Sequence, residues 1–158
     1  MFVLMRALTY AAIFIGLVLI FVPARLLSWI GISRPEVIGV YQVGGMAIAA
    51  AGAMIVIWCL LVFAFVGRGT PAPFDPPRRL VIRGPYKHVR NPMYIGAGLA
   101  LGGAALFHQS FELLGYTAVF MIITHLFVVY YEEPKLRRSF GAEYTAYCRQ
   151  VDRWRPRT

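Results

Sequence analysis

The chain has 158 residues, 59% of them hydrophobic and only 15% charged, with a mean hydropathy of +0.63 and a formal net charge of +9. That excess of apolar residues excludes an ordinary soluble domain and points to a bilayer as solvent. Three histidines and two cysteines without ligand spacing exclude a metal cluster and a disulfide framework.

Four apolar stretches follow in chain order: Ala7 to Val22, Val37 to Val66, Met93 to Phe107 and Leu113 to Tyr131. A span takes about 20 apolar residues. The third is short unless the apolar run continues through His108, Gln109, Ser110 and Glu112, and the second is long enough to tilt. The first run follows Arg6 without a small-x-small cleavage site, so it reads as a retained span rather than a signal peptide. The expected fold is an all-α integral membrane protein with about four transmembrane helices and a cytoplasmic amphipathic C-terminal helix. It forms one membrane domain: 1–66 holds two spans, 67–92 a Pro-rich loop, 93–131 two more spans, and 132–158 a helical tail.

The sixteen Lys and Arg residues set the orientation. Only Arg25 and Arg34 fall in the outer connections; the other fourteen lie before the first span, in the loop or in the tail. This is the positive-inside pattern, and it places both termini in the cytoplasm. Basicity is thereby assigned to topology and to contact with anionic lipids, not to nucleic acid.

Between the spans, "PARLLSWIGISRPE" supplies Leu26, Leu27, Trp29 and Ile30 as an interfacial anchor. The second span contains "GGMAIAAAGAM", whose small residues let helices approach closely. From Arg68 to Pro92 six prolines shape the cytoplasmic loop, with "RLVIRGPY" as a short extended piece ended at Gly84-Pro85. After Tyr131, the positions Leu136, Phe140, Tyr144, Tyr147, Val151 and Trp154 share one face of a helix, with Lys135, Arg138, Arg149 and Arg153 opposite. Such a tail lies on the membrane surface or folds over the ends of the spans.

Chemistry-bearing residues gather at the cytoplasmic end of spans three and four. Adjacent Glu132 and Glu133 need cations near hydrocarbon; Arg137, Arg138, the basic loop or a cationic ligand would each serve. A carboxylate also grips a ribose diol. Gly96 and Gly98 open the third helix, where bare backbone admits a ligand; Gly98 and Gly102 equally have helix-packing spacing. His125 stands seven residues before Glu132, on the same face.

"LVIRGPYKHVRNPMYIGAG" followed by "EEPKLRRSFGAEYTAYCRQV" resembles the integral-membrane methyltransferases of the isoprenylcysteine carboxyl methyltransferase and phospholipid methyltransferase superfamily, across Leu80 to Val151. The resemblance implies S-adenosylmethionine as methyl donor and a lipophilic small molecule or lipid as acceptor. By position it implies a cofactor site of Leu80, Val81, Tyr86, Asn91, Pro92, Met93, Tyr94, Gly96, Gly98, Glu132 and Glu133. Asn91 replaces a family histidine, and Val128 replaces the arginine that the prenylcysteine enzymes place one turn before the acidic pair, which counts against carboxyl methylation. Tyr86, Tyr94, Glu133 and His125 are candidate proton acceptors. The C-terminal pattern is also similar to that of NADPH-dependent membrane sterol and steroid reductases, for which Arg78, Arg79 and Arg83 would hold the extra phosphate. A non-catalytic membrane scaffold, with the acidic pair satisfied by arginines, is the third reading.

Overall fold

The computed structural model describes residues 9, 13, 15–32, 35, 37–63, 65 and 80–157. Residues 66–79 of the basic loop, with Arg78 and Arg79, lie outside the described residues, as do most positions before residue 15. Helix α1 runs Ile15–Trp29, opening with π geometry over Ile15–Phe21 and tightening to α geometry over Val22–Trp29. Helix α2 is Val40–Val62, α3 is Pro92–His108 and α4 is Phe111–Phe127. A π segment, Val128–Glu132, carries α4 without interruption into α5, Glu133–Gln150. No strand occurs among the described residues, and 80–82, expected to be extended, lack regular structure.

Two helical stretches, Val40–Val62 and Phe111–Gln150, are long and apolar enough to cross a membrane by length and composition. Their outer faces leave Met54, Ile57, Trp58 and Leu61 on α2, and Val119, Ile122, Ile123 and Leu126 on α4, exposed. An apolar surface of that extent is suited to lipid tails, not water. The apolar run of α3 does not continue through the polar break. Gln109 turns left-handed, and Ser110 starts α4 by accepting a hydrogen bond from the Leu113 amide at 3.1 Å. With 17 residues α3 is about 25 Å long at 1.5 Å per residue.

Glycines set the distance between antiparallel α2 and α3. A Cβ at Gly45 would lie 2.7 Å from the Gly103 carbonyl, and one at Gly52 would lie 2.5 Å from that of Gly96. The two pairs sit seven residues apart on each helix, so one face of each is bare backbone where they cross. In lipid, where burial supplies no drive, this contact gains dispersion and weak hydrogen bonding. The spacing read from sequence, Gly98 with Gly102, does not make it: Gly98 faces the Met121 side chain of α4, and Gly102 has nothing within 4 Å of a built Cβ. A core of Val56, Ala97, Leu101 and Phe120 closes the bundle, with Ile15, Val18 and Leu19 of α1 packed on it. Tyr116 of α4 donates to the Val18 carbonyl at 2.9 Å, inside the π stretch of α1.

The α5 face expected from periodicity forms as far as Val151. Tyr144, Tyr147 and Val151 are buried, with half-buried Leu136, Phe140, Leu80 and Ile82 packed against them, so this face packs on the loop. Gly141, at φ 50°, kinks the helix. Past Gln150 the chain leaves the helix with Val151 extended, and 151–157 fold back as a strap. Arg153 and Trp154 therefore do not continue the helical faces on which their spacing had placed them.

Candidate active site

The site lies where α3 begins and α4 passes into α5. Pro92 occupies the first turn of α3, where its missing N–H costs nothing. Asn91 stands at the N-cap position of this helix and Tyr94 follows one turn on, the first reaching the Arg153 carbonyl and the second Glu132. The π segment Val128–Glu132 ends at the acidic pair and resets the helical phase just before it.

The two carboxylates have different partners. Glu133 is 6% exposed. Its Oε1 accepts from Arg153 Nε at 2.6 Å and pairs with Arg90 Nη1 at 3.0 Å, while its Oε2 accepts from Arg153 Nη2 at 3.0 Å. Burial alone would raise the Glu133 carboxyl, but the Arg153 hydrogen bonds and the charges of Arg90, Arg153 and Arg137 outweigh it and hold it below the usual carboxylate value. Glu132 has no ion pair among the described residues. It accepts one hydrogen bond, from the Tyr94 hydroxyl at 3.2 Å. Burial pushes its carboxyl up to about 6, with the Tyr94 bond opposing the rise and the Glu133 charge adding to it.

The strap closes the site from the C-terminal side. The Arg90 amide donates to the Asp152 carbonyl at 2.9 Å, Asn91 Nδ2 donates to the Arg153 carbonyl at 3.3 Å, and Trp154 Nε1 donates to His125 Nδ1 at 3.0 Å. Asn91 thus engages the strap backbone, and His125 accepts from Trp154.

The remaining expected residues are placed as follows. Val81, Tyr86 and Met93 pack with Cys59 of α2. Phe63 meets the Tyr86 ring edge-on at 5.3 Å, and the Tyr86 carbonyl accepts from Tyr147 at 2.6 Å. Leu80 packs on α5. Pro92 is buried, Gly96 faces α2 and Gly98 faces α4. Tyr94 and Glu132 are thus brought together, as are Asn91 and Glu133 by way of Arg153, while the two glycines point into helix contacts. Sequence reasoning looked for partners of the acidic pair in Arg137, Arg138 and the basic loop. Arg90 does come from that loop. Arg153, twenty residues beyond Glu133, had no local signal, because only the reversal after Gln150 carries it back.

The raised Glu132 carboxyl has a consequence for stability. Its folded value exceeds the ordinary one of 4.5, so protonation favours the fold. That contribution is fully present below pH 4.5 and is lost as pH rises through about 6. Glu132→Gln, which removes the charge, should therefore stabilise the ligand-free protein at pH 7.5 by on the order of 1–2 kcal/mol and at pH 4.5 by much less. Thermal unfolding of the detergent-solubilised pair of proteins at the two pH values checks this.

No cluster of three metal-ligating side chains occurs among the described residues. Residues 40–143 match the family model described as phospholipid methyltransferase. No curated protein and no solved structure matches the chain.

Proposed function

The chain belongs to the phospholipid methyltransferase family, and from that membership we propose that it carries out S-adenosylmethionine-dependent methyl transfer to a lipophilic acceptor taken from the bilayer. Four spans with both termini cytoplasmic complete this reading, on the strength of the lysine and arginine distribution.

The observation that supports it furthest is the Glu132 carboxylate, sheltered at the end of a membrane helix, held by Tyr94 and unmatched by any cation among the described residues. Such a group favours an ammonium or a ribose diol, and S-adenosylmethionine offers both together with a methyl group already activated on a sulfonium. The acceptor then needs orientation and a dry approach more than further activation. Tyr94 fixes the rotamer of Glu132 from α3. Glu133, Arg90 and Arg153 anchor the strap that excludes water, and Val81 and Tyr86 support the loop beneath it. Among the candidate proton acceptors, Glu133 is committed to arginines, and burial pushes the Tyr86 hydroxyl far above its ordinary value, so it stays protonated. Burial brings the Glu132 carboxyl up to about 6.

The reductase alternative draws no support from the family match, and two of its three proposed phosphate arginines, Arg78 and Arg79, lie outside the described residues. Calorimetric titration of S-adenosylhomocysteine and NADPH into the detergent-purified protein separates the readings. Saturable binding of the first, weakened about tenfold or more by Glu132→Gln, is expected. Binding of NADPH alone would replace methyl transfer with reduction, and binding of neither by the folded protein would favour a scaffold.

A further inference from the structure

We infer that Arg153 is a positioning residue: by saturating Glu133 it leaves Glu132 as the member of the acidic pair open to a cationic ligand, an inference that rests on the methyl-donor reading of this site.

The geometry divides the work between the two arginines unequally. Arg90 reaches Glu133 only through Nη1, which also donates to Cys148 Sγ at 2.9 Å, and its Nε is buried without a partner. Arg90 therefore does not grip both carboxylate oxygens. Arg153 does, through the parallel fork of Nε and Nη2, and among the described residues it is the donor to Glu133 Oε2. Without that fork, one oxygen of a buried carboxylate is bare, and Arg90 is left as the one guanidinium paired with the Glu133 charge beside Glu132.

Both consequences weaken a cation site at Glu132. A less neutralised neighbour drives Glu132 toward its protonated form, and the bare oxygen of Glu133 competes for the ligand's charge. The groups that set the Glu132 field are Tyr94 from α3, Tyr86 from the loop and Glu133 beside it. Those facing Glu133 are Arg90, Arg137, Arg153 and Tyr144. Arg153 is the one of these carried by the strap, and the strap backbone is held by other contacts: Arg90 to Asp152, Asn91 to the Arg153 carbonyl and Trp154 to His125. Its side chain can thus be changed while these three contacts still tether the strap.

The test follows Glu132 directly, by carbon NMR of the protein labelled with ¹³C-glutamate, the signal being assigned by its loss in Glu132→Gln. S-adenosylhomocysteine calorimetry on the same samples across about pH 5 to 8 supplies the ligand readout. Arg153→Gln should raise the Glu132 midpoint by roughly half to one pH unit and weaken the ligand about tenfold at neutral pH. Arg153→Lys, which keeps the charge, should leave the midpoint in place. Glu133→Gln combined with Arg153→Gln should return it to the native value or below. An unchanged midpoint in Arg153→Gln, or an elevated one in the double variant, overturns the inference, and the double variant decides alone if the single one does not fold. Failure of S-adenosylhomocysteine to bind the unaltered protein would instead overturn the methyl-donor reading, leaving the NMR midpoints to judge Arg153.

Discussion

Replacing Glu133 with alanine should cost about 3–5 kcal/mol of stability, because it strands two guanidinium groups in a buried site. Arg90 has a side chain only 12% exposed and Arg153 one 30% exposed, and both are aimed at the lost carboxylate. In thermal unfolding of the detergent-solubilised protein the midpoint should fall by on the order of 10 °C. The strap should loosen with it, exposing 151–157 to proteolysis. Acid should narrow the gap between the two proteins. The folded Glu133 carboxyl sits below its ordinary 4.5, so its contribution is present above that value and is lost as pH falls through the folded value. Removing Arg153 along with the carboxylate, as in Glu133→Leu with Arg153→Leu, should recover part of the loss, since an absent pair costs less than half of one. A Glu133→Ala protein as stable as the parent would mean that the ion cluster does not hold the strap.

Gly52→Leu should be at least as damaging, costing about 3 kcal/mol or more. The first carbon of any side chain there would lie 2.5 Å from both the Gly96 carbonyl oxygen and the Ala100 amide nitrogen. Those are backbone atoms of α3, and no rotamer change moves them aside. The helices must separate along the crossing that Gly45 and Gly103 also depend on, so the start of α3, with Asn91 and Tyr94, shifts relative to α2 and the loop. Gly102→Ala offers the contrast on the same helix. Nothing lies within 4 Å of its Cβ, and the substitution should be neutral or stabilise by about 0.5–1 kcal/mol through backbone entropy alone. Equal effects of the two substitutions on unfolding would show that the close crossing carries no energy.

Both results turn on contacts of kinds that sequence reveals unequally. The glycines of "GGMAIAAAG" advertised a packing surface, yet which glycine of α3 would meet it was not legible: Gly96, Gly98 and Gly102 are all small and closely spaced, and helix rotation selects among them. Here Gly96 and Gly103 face α2, while Gly98 faces Met121. The α5 stripe was legible to Val151 because a 3.6-residue period is a local property. It failed at Arg153 and Trp154, where the backbone leaves the helix.

The sequence by itself determined the helical, membrane-suited character of the chain, the break at Gln109 and Ser110, the gathering of chemistry at the start of α3 and the end of α4, and the family. Each of these is written in composition, period or contiguous motif, and so survives without knowledge of distant contacts. The tertiary structure alone decided which carboxylate is spent and which is open. Glu132 and Glu133 are chemically identical neighbours about 100° apart around a helix, and what separates them is whether Arg90 and Arg153 or only Tyr94 lies opposite. That choice depends on helix phase after the π segment and on the return of the strap, which are long-range outcomes of packing.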